Sequence, residues 1–394
     1  MYADILENKV VLGNRVDVPN ALEQLKRVKS DITDHAAWSE EKGYLHPNTL
    51  QALVQIGVPR FFLPKGLGGY EISPVDCAVL TEAIAEVDAS TAWYVMVYNA
   101  ARLAGAWWNQ ELVDLVWGED PDALVSASGN NPFEAVDKGE CYQIDGVNHF
   151  ASGCRYAAWI LSPVRLNGEI NTVLLPMGDC EILDDWDSLG MRGSGSNSVR
   201  AISVIVPKNH LNPMPSGKGK RNLYYSGLLY RAPARIVFST YVPIALSLAK
   251  RSLELLLDLA LNKVPYALNA KLKTRSLAQT KYSEALAIYR SARAFFYEEI
   301  ERAWEMTQSD SGFDDRDKAN LYLAGVHAVQ ESARVVKLVA DACGTTVTDR
   351  NNPLDQISRD METLRHHGFV NESRYASVAQ VLWDSELDYP LILR

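Results

Sequence analysis

The chain has 394 residues, enough for two or three domains and a large buried core. Hydrophobic residues make up 47% and charged residues 22%, ordinary globular usage that excludes a disordered chain. Lys and Arg number 39 against 49 Asp and Glu, a net charge of −10 that argues against nucleic acid or an anionic membrane as a general partner.

In chain order, the opening MYADILENKV has no basic region followed by an apolar run, so no leader is expected. Residues 20–42 carry Leu22, Leu25, Val28 and Ile32 at helical spacing. A second helix is expected from Asn48, as its N-cap, to Gly57. A Pro/Gly-rich turn region follows, and Ser73-Pro74 opens a third helix with Val75, Val79, Ile84 and Val87. A fourth runs from about Thr91 to Trp108. Between 121 and 210 the apolar residues alternate or come in short runs, the pattern of antiparallel strands. Asp145-Gly146 and Asn167-Gly168 read as hairpin turns. The stretch NPMPSGKGKRN at 212–222 reads as a surface linker. Helices are then expected at 233–262, 273–308, 315–343, 353–367 and 373–385. Leu253, Leu256, Leu257 and Leu261 mark one broad apolar face.

The predicted fold class is α+β in three parts: an N-terminal helical domain (1–120), an antiparallel β domain (121–215) and a C-terminal helical bundle (225–394). The longest apolar stretch, Ile236 to Leu248, is broken by Ser239, Thr240 and Pro243 and is too short to span a membrane. Five cysteines without C-x-x-C spacing give no zinc site and no disulfide framework. The expectation is a soluble cytoplasmic protein.

Several chemistries lack their signatures. There is no Walker loop, no H-E-x-x-H and no G-x-S-x-G. The glycines from Gly190 to Gly195 are not followed by a helix, so no nicotinamide site is expected. His366 and His367 are adjacent, about 100° apart on a helix, and do not readily share a metal. No metal is expected.

Three motifs stand out. The first is Tyr142-Gln-Ile-Asp-Gly146 followed by Phe150-Ala-Ser-Gly153. The second is Leu124-Val-Ser-Ala-Ser-Gly129-Asn-Asn-Pro132, where small residues permit close approach of backbone to a ligand. The third is Trp186-Asp-Ser-Leu-Gly190-Met-Arg-Gly193-Ser-Gly195-Ser-Asn-Ser, a Gly/Ser turn with free N–H groups and one Arg. With the helix–strand–helix order, these resemble the acyl-CoA dehydrogenase superfamily: a helical domain, a β-barrel domain and a C-terminal four-helix bundle. The chain looks most like the oxygenase components of two-component flavin monooxygenases.

The resemblance implies site residues. Ser152 would sit beside flavin N5, where a hydroxyl can donate or accept. Ser126, Ala127, Ser128 and Gly129 would bind the flavin pyrimidine. Arg192, Gly193, Ser194 and Ser196 would hold a phosphate or ring oxygen. Dehydrogenases need a carboxylate base, and the matching positions here are Gly368, in the register set by Arg359-Asp360, and Ala234. Asp360 and Glu362 lie nearby but out of register. The monooxygenases instead carry a His seven residues after that Asp, which is His367, with His366 as neighbour. Several aromatic hydroxylases carry a second His two turns after a helical Trp. Here the Trp is Trp93 and that position is Ala101, with Tyr98, Asn99 or Arg102 as substitutes. Trp93, Tyr98, His366 and Phe369 are the expected substrate pocket.

The implied function is a monooxygenase that oxygenates a small aromatic or heteroatom-containing substrate through a C4a-hydroperoxide. It would take reduced flavin (FMNH2 or FADH2) from a separate NAD(P)H-flavin reductase, use O2, and assemble as a homotetramer. Two other enzyme readings stand: an acyl-CoA dehydrogenase with FAD and a relocated base, and an amine N-oxygenase on the same fold. Dehydrogenase bundles often carry an Arg that reaches a partner's FAD, and Lys263 would have to replace it. A protein that only binds a ligand is the non-enzymatic alternative.

Overall fold

The computed structural model describes residues 18–214, 221–266, 268–309 and 311–393. The opening segment and residues 215–220 of the predicted linker lie outside the described residues.

The N-terminal part is helical. Helix α1 (Val18–Lys42) buries Leu25, Val28 and Ile32, as its spacing predicts. Helix α2 (Pro47–Ile56) starts one residue before Asn48, because His46 is the N-cap and its ring accepts the Asn48 N–H, with Pro47 at the first helical position. Gly57 ends it at φ 86°. Helix α3 (Pro74–Ala85) is capped by Ser73, and α4 (Ala89–Ala104) by Asp88. Helix α4 ends short of the expected Trp108 and gives way to a 3-10 turn at Gly105–Trp107. A short helix α5 (Gln110–Val113) leads toward the sheet.

The strands are β1 (Val125–Ala127), β2 (Phe133–Asp137), β3 (Cys141–Asn148), β4 (Trp159–Leu166), β5 (Glu169–Pro176), β6 (Glu181–Ile182), β7 (Val199–Pro207) and β8 (Leu211–Pro213). Their order is β6-β7-β3-β2-β4-β5-β8, with β1 paired to β4. Among the described residues the ladder runs from β6 to β8, the central antiparallel-rich sheet of the expected three-part fold. It is antiparallel except for the β1–β4 and β2–β4 pairs. One side packs on Phe133, Ile144, Ile160, Val173 and Val199. Asn167-Gly168 forms the β4–β5 hairpin, both residues at positive φ. Asp145-Gly146 does not turn the chain. It sits inside β3 at a register shift against β7, and the Asp145 carboxylate accepts the Ser203 N–H at 2.7 Å.

In the C-terminal part the expected helix from 233 is a 3-10 segment (Ala234–Thr240) followed by α6 (Val242–Asn262), because Pro243 sits at the start of α6 and lacks an N–H. Helices α7 (Ser276–Ser309), α8 (Asp315–Cys343), α9 (Pro353–Arg365) and α10 (Arg374–Leu382) complete the bundle, with α8 packing on the other four. Helix α3 docks on α6 and α7. Buried Glu82 takes both arms of Arg293 at 2.9 and 3.0 Å and the Tyr297 hydroxyl at 2.6 Å. No described helix is long and apolar enough to cross a membrane.

Candidate active site

The turn after β3 meets the Gly190–Ser196 turn. Ala151 N–H donates to Asn197 O and Gly153 N–H to Ser194 O, both at 3.0 Å. Gly153 (φ 70°) lies against α4, where an added Cβ would fall 3.1–3.2 Å from Val97 and Tyr94. That close approach brings Trp93 to Ser152: the indole Nε1–H donates to Ser152 Oγ at 3.0 Å. Ser152 Oγ is also 2.7 Å from Ser196 Oγ, which is 2.8 Å from Ser194 Oγ. An indole N–H only donates, so Trp93 occupies one lone pair of Ser152. If Ser196 donates to the other, the Ser152 proton points outward to a ligand.

His367 follows the end of α9, its N–H bonded to Leu364 O at 3.1 Å. Its ring stands edge-on to Trp93 (5.3 Å between centroids) and Phe369 (5.1 Å), and is tilted against Tyr241 (5.8 Å). The imidazole keeps some exposure, but its surroundings are aromatic and no carboxylate pairs with it among the described residues. Burial pushes its pKa down to about 4. The Phe369 N–H points at Nδ1 at 3.4 Å, which assigns the proton of the neutral ring to Nε2.

Beside this pair an open cavity of about 440 Å³ is lined by Phe150, Trp186, Leu189, Glu362, Thr363 and His366, among others. Phe150 is held at φ 62°, a strained conformation for a bulky residue; the residue is 58% exposed and its ring is edge-on to Trp186. The arrangement fits a flat aromatic group: an exposed ring, an apolar wall and a serine hydroxyl two residues away. Gly129 adds open space, since nothing lies within 4 Å of where its Cβ would be. These residues fit the isoalloxazine ring of a flavin.

The expected site residues divide. Ser152, Ser194, Ser196, Trp93, His367 and Phe369 come together. Ser126 donates to Ser152 O at 2.9 Å and so braces the turn. Ala127 and Ser128 lie on the β1 edge, with the Ser128 hydroxyl bonded to His149 O and its N–H to Leu161 O. Gly193 packs against α1 and α4, where a Cβ would meet Ser90 at 2.9 Å. The Arg192 guanidinium binds Glu40 O at 3.0 Å and Asp187 at 2.7 Å. His366 faces the cavity, bonded to Glu362 at 3.1 Å, and not the ring cage.

Tyr98 lies elsewhere. It is five residues from Trp93, about 140° around α4, and its ring lies under buried Arg102. Arg102 itself binds the carbonyls of Tyr98, Pro121 and Ala123, and Asn99 binds Phe62, Val58 and Val95 backbone groups, so all three suggested substitutes are committed to the fold. Lys263 binds Cys343 O and Thr346 at the end of α8. Asp360 is buried under Met191 N–H, and Glu362 pairs with Arg365. Sequence reasoning passed over Phe150 and Tyr241. Backbone strain at Phe150 leaves no mark in a pattern of residue types, whereas Pro243 marks the helix start that puts Tyr241 at its head.

Comparison with known proteins agrees with this fold. Residues 25–105 match the family model described as acyl-CoA dehydrogenase, N-terminal domain, and residues 239–372 match acyl-CoA dehydrogenase, C-terminal domain. Indole-3-acetate monooxygenase of Pseudomonas putida is 26% identical over 364 residues, covering 90% of this chain and 92% of that protein. The oxygenase component of p-hydroxyphenylacetate 3-hydroxylase from Acinetobacter baumannii is 25% identical over 376 residues, covering 92% and 87%. The structure of XiaF from a Streptomyces species, in complex with FADH2 and glycerol, superposes with a TM-score of 0.87 over 95% of this chain and 97% of that one, at 17% identity. With its helical ends matched on both sides of the sheet, the chain belongs to the acyl-CoA dehydrogenase family.

Proposed function

We propose that this chain is the oxygenase component of a two-component flavin-dependent monooxygenase acting on a small aromatic substrate. The observation that carries it is the Trp93–Ser152–Ser196 chain set against a neutral His367, beside a cavity whose described carboxylates, Asp185, Asp187 and Glu362, are each already hydrogen-bonded. A dehydrogenase needs a base, and Asp360 and Glu362 are both engaged elsewhere. The relatives' names support the reading: an indole-3-acetate monooxygenase and a p-hydroxyphenylacetate hydroxylase.

When bound, reduced flavin supplies the electrons and the carbon that activates O2. The protein supplies the rest. Phe150, Trp186 and Leu189 present an apolar wall to the ring and exclude water. Ser126, Ala127, Ser128 and Gly129 would form the edge that holds the flavin pyrimidine. Gly193, Ser194 and Ser196 form the opposite turn, and Arg192 stiffens it through Glu40 and Asp187. Ser152 would offer its proton to flavin N5 when Ser196 donates to it. His367, with Phe369 and Trp93 about it, hydrogen-bonds the substrate through Nε2 and takes a proton only as charge develops beside it. A separate NAD(P)H-flavin reductase delivers FMNH2 or FADH2. Exposed Val264, Tyr266 and Leu277 beside α6 and α7 support assembly into a homotetramer through the bundle.

The test mixes the protein with reduced FMN or FADH2 without oxygen, then with aerated buffer, and measures free hydrogen peroxide with and without indole-3-acetate as aromatic probe. The native protein should release peroxide far more slowly than free flavin, and Ser152→Ala should restore fast release. A protein that purifies with stoichiometric FAD and is bleached by an acyl-CoA would sink the reading in favour of the dehydrogenase.

A further inference from the structure

The Gly190–Ser196 turn touches Ser152 on one side and α9 on the other. Two side chains hold the α9 side. Asp360 Oδ1 accepts the Met191 N–H at 2.6 Å, and Thr363 Oγ1 accepts the Gly190 N–H at 2.9 Å. Gly190 lies flat on the helix, where an added Cβ would fall 2.2 Å from the Arg359 carbonyl. Met191 is left-handed at φ 53°. Asp360 therefore grips a strained peptide five residues before Ser196, the partner of Ser152.

The surroundings of this carboxyl are acidic. Asp360 is 2% exposed and has no ion pair among the described residues. Asp88, the buried cap of α4, and Glu40, near the end of α1, both face it. Glu40 keeps one buried oxygen without a hydrogen-bond partner among the described residues. The nearby cation is Arg359, on the same helix, and it is already bonded to Glu40 at 2.6 Å, Asp355 at 2.9 Å and Leu189 O at 3.0 Å. Against this stands the Met191 N–H, which favours the ion.

Resting on the monooxygenase reading, we propose that Asp360 is a positioning residue whose protonation state sets how firmly the Gly190–Ser196 turn, and with it Ser152, is held. Burial first, and then Asp88 and Glu40, keep this carboxyl protonated up to about pH 7. Its pKa is thus raised in the closed arrangement above that of a solvated carboxyl. By linkage, the closed arrangement is favoured while the proton is on, and the advantage is lost as pH rises through about 7. Above that point the ionised group favours a turn detached from α9, where water reaches it.

Hydrogen exchange over residues 186–198 of the ligand-free protein tests this, at pH 6 and pH 8.5, corrected for intrinsic rates. Native protection should fall by about tenfold in total between pH 6 and pH 8.5, most of it below about pH 7 and levelling off above it, and Asp360→Asn should show no such fall. Thr363→Val should lose protection at both pH values yet keep the pH dependence, which separates a lost bond from a lost titration. Equal protection at both pH values in the native protein, or an unchanged dependence in Asp360→Asn, would overturn the proposal. Fluorescence titration with FMN and FAD reads the link to the ligand: affinity should fall over the same interval in the native protein and stay level in Asp360→Asn. Exchange needs no flavin, so failure of both flavins to bind would count against the monooxygenase reading, and against Asp360 as its positioning residue, without touching the behaviour of the turn.

Discussion

Gly190→Ala is the sharpest single test of how the sheet and the bundle are joined. Its Cβ would stand 2.2 Å from the Arg359 carbonyl and 2.4 Å from Asp360 N, both backbone atoms of α9 that cannot swing aside. The turn must lift, and two hydrogen bonds break: Met191 to Asp360 and Gly190 to Thr363. At about 1–1.5 kcal/mol each the loss is about 2–3 kcal/mol. Unfolding entropy of about 2.1 cal/mol/K per residue gives about 0.8 kcal/mol per kelvin for this chain. The melting midpoint should therefore fall by about 3 °C in a calorimetric scan at pH 6. Gly178→Ala is the matched control, because nothing lies within 4 Å of its Cβ, and it should melt within about 1 °C of the native protein. If Gly190→Ala melts with the control, the joint bears no load and the reasoning fails.

Other consequences are equally direct. Gly129→Ala adds a methyl to open space; melting of the ligand-free protein should not change while flavin affinity, read by fluorescence quenching, drops at least about tenfold. The rate against pH should show no inflection from His367 between pH 6 and 7, because its pKa is near 4. An inflection there that vanishes in His367→Asn would contradict the ring-cage account. Glu82→Gln leaves Arg293 buried without its partner and should cost about 3–5 kcal/mol, seen as a fall of about 4–6 °C in the melting midpoint.

Much of the architecture was legible because periodicity reports burial. The spacing of Leu25, Val28 and Ile32 gave α1 its inner face, and Ser73-Pro74 announced α3 through cap chemistry. The misreadings have local causes. Asp145-Gly146 looks like a turn, yet the glycine relieves crowding against Phe133 inside a strand, 3.2 Å from its added Cβ. His46 displaced Asn48 as cap because an imidazole nitrogen can do the same work. The cluster of Ser152, Ser194, Ser196 and His367 was visible only through motif resemblance. Tyr98 was placed wrongly because density of aromatics on one helix says nothing about which face each takes. Phe150 was missed because its place depends on a dihedral angle.

That dihedral has a kinetic meaning. The fold holds Phe150 in its left-handed conformation with Trp186 beside it. The strain is met when the chain folds, so on the proposed reading a wall fixed in this way would take a flat ring without rearranging. Free reduced flavin is consumed by dissolved oxygen while it diffuses between two proteins. If this wall takes the flavin, as proposed, its fixed shape shortens the interval in which that side reaction competes.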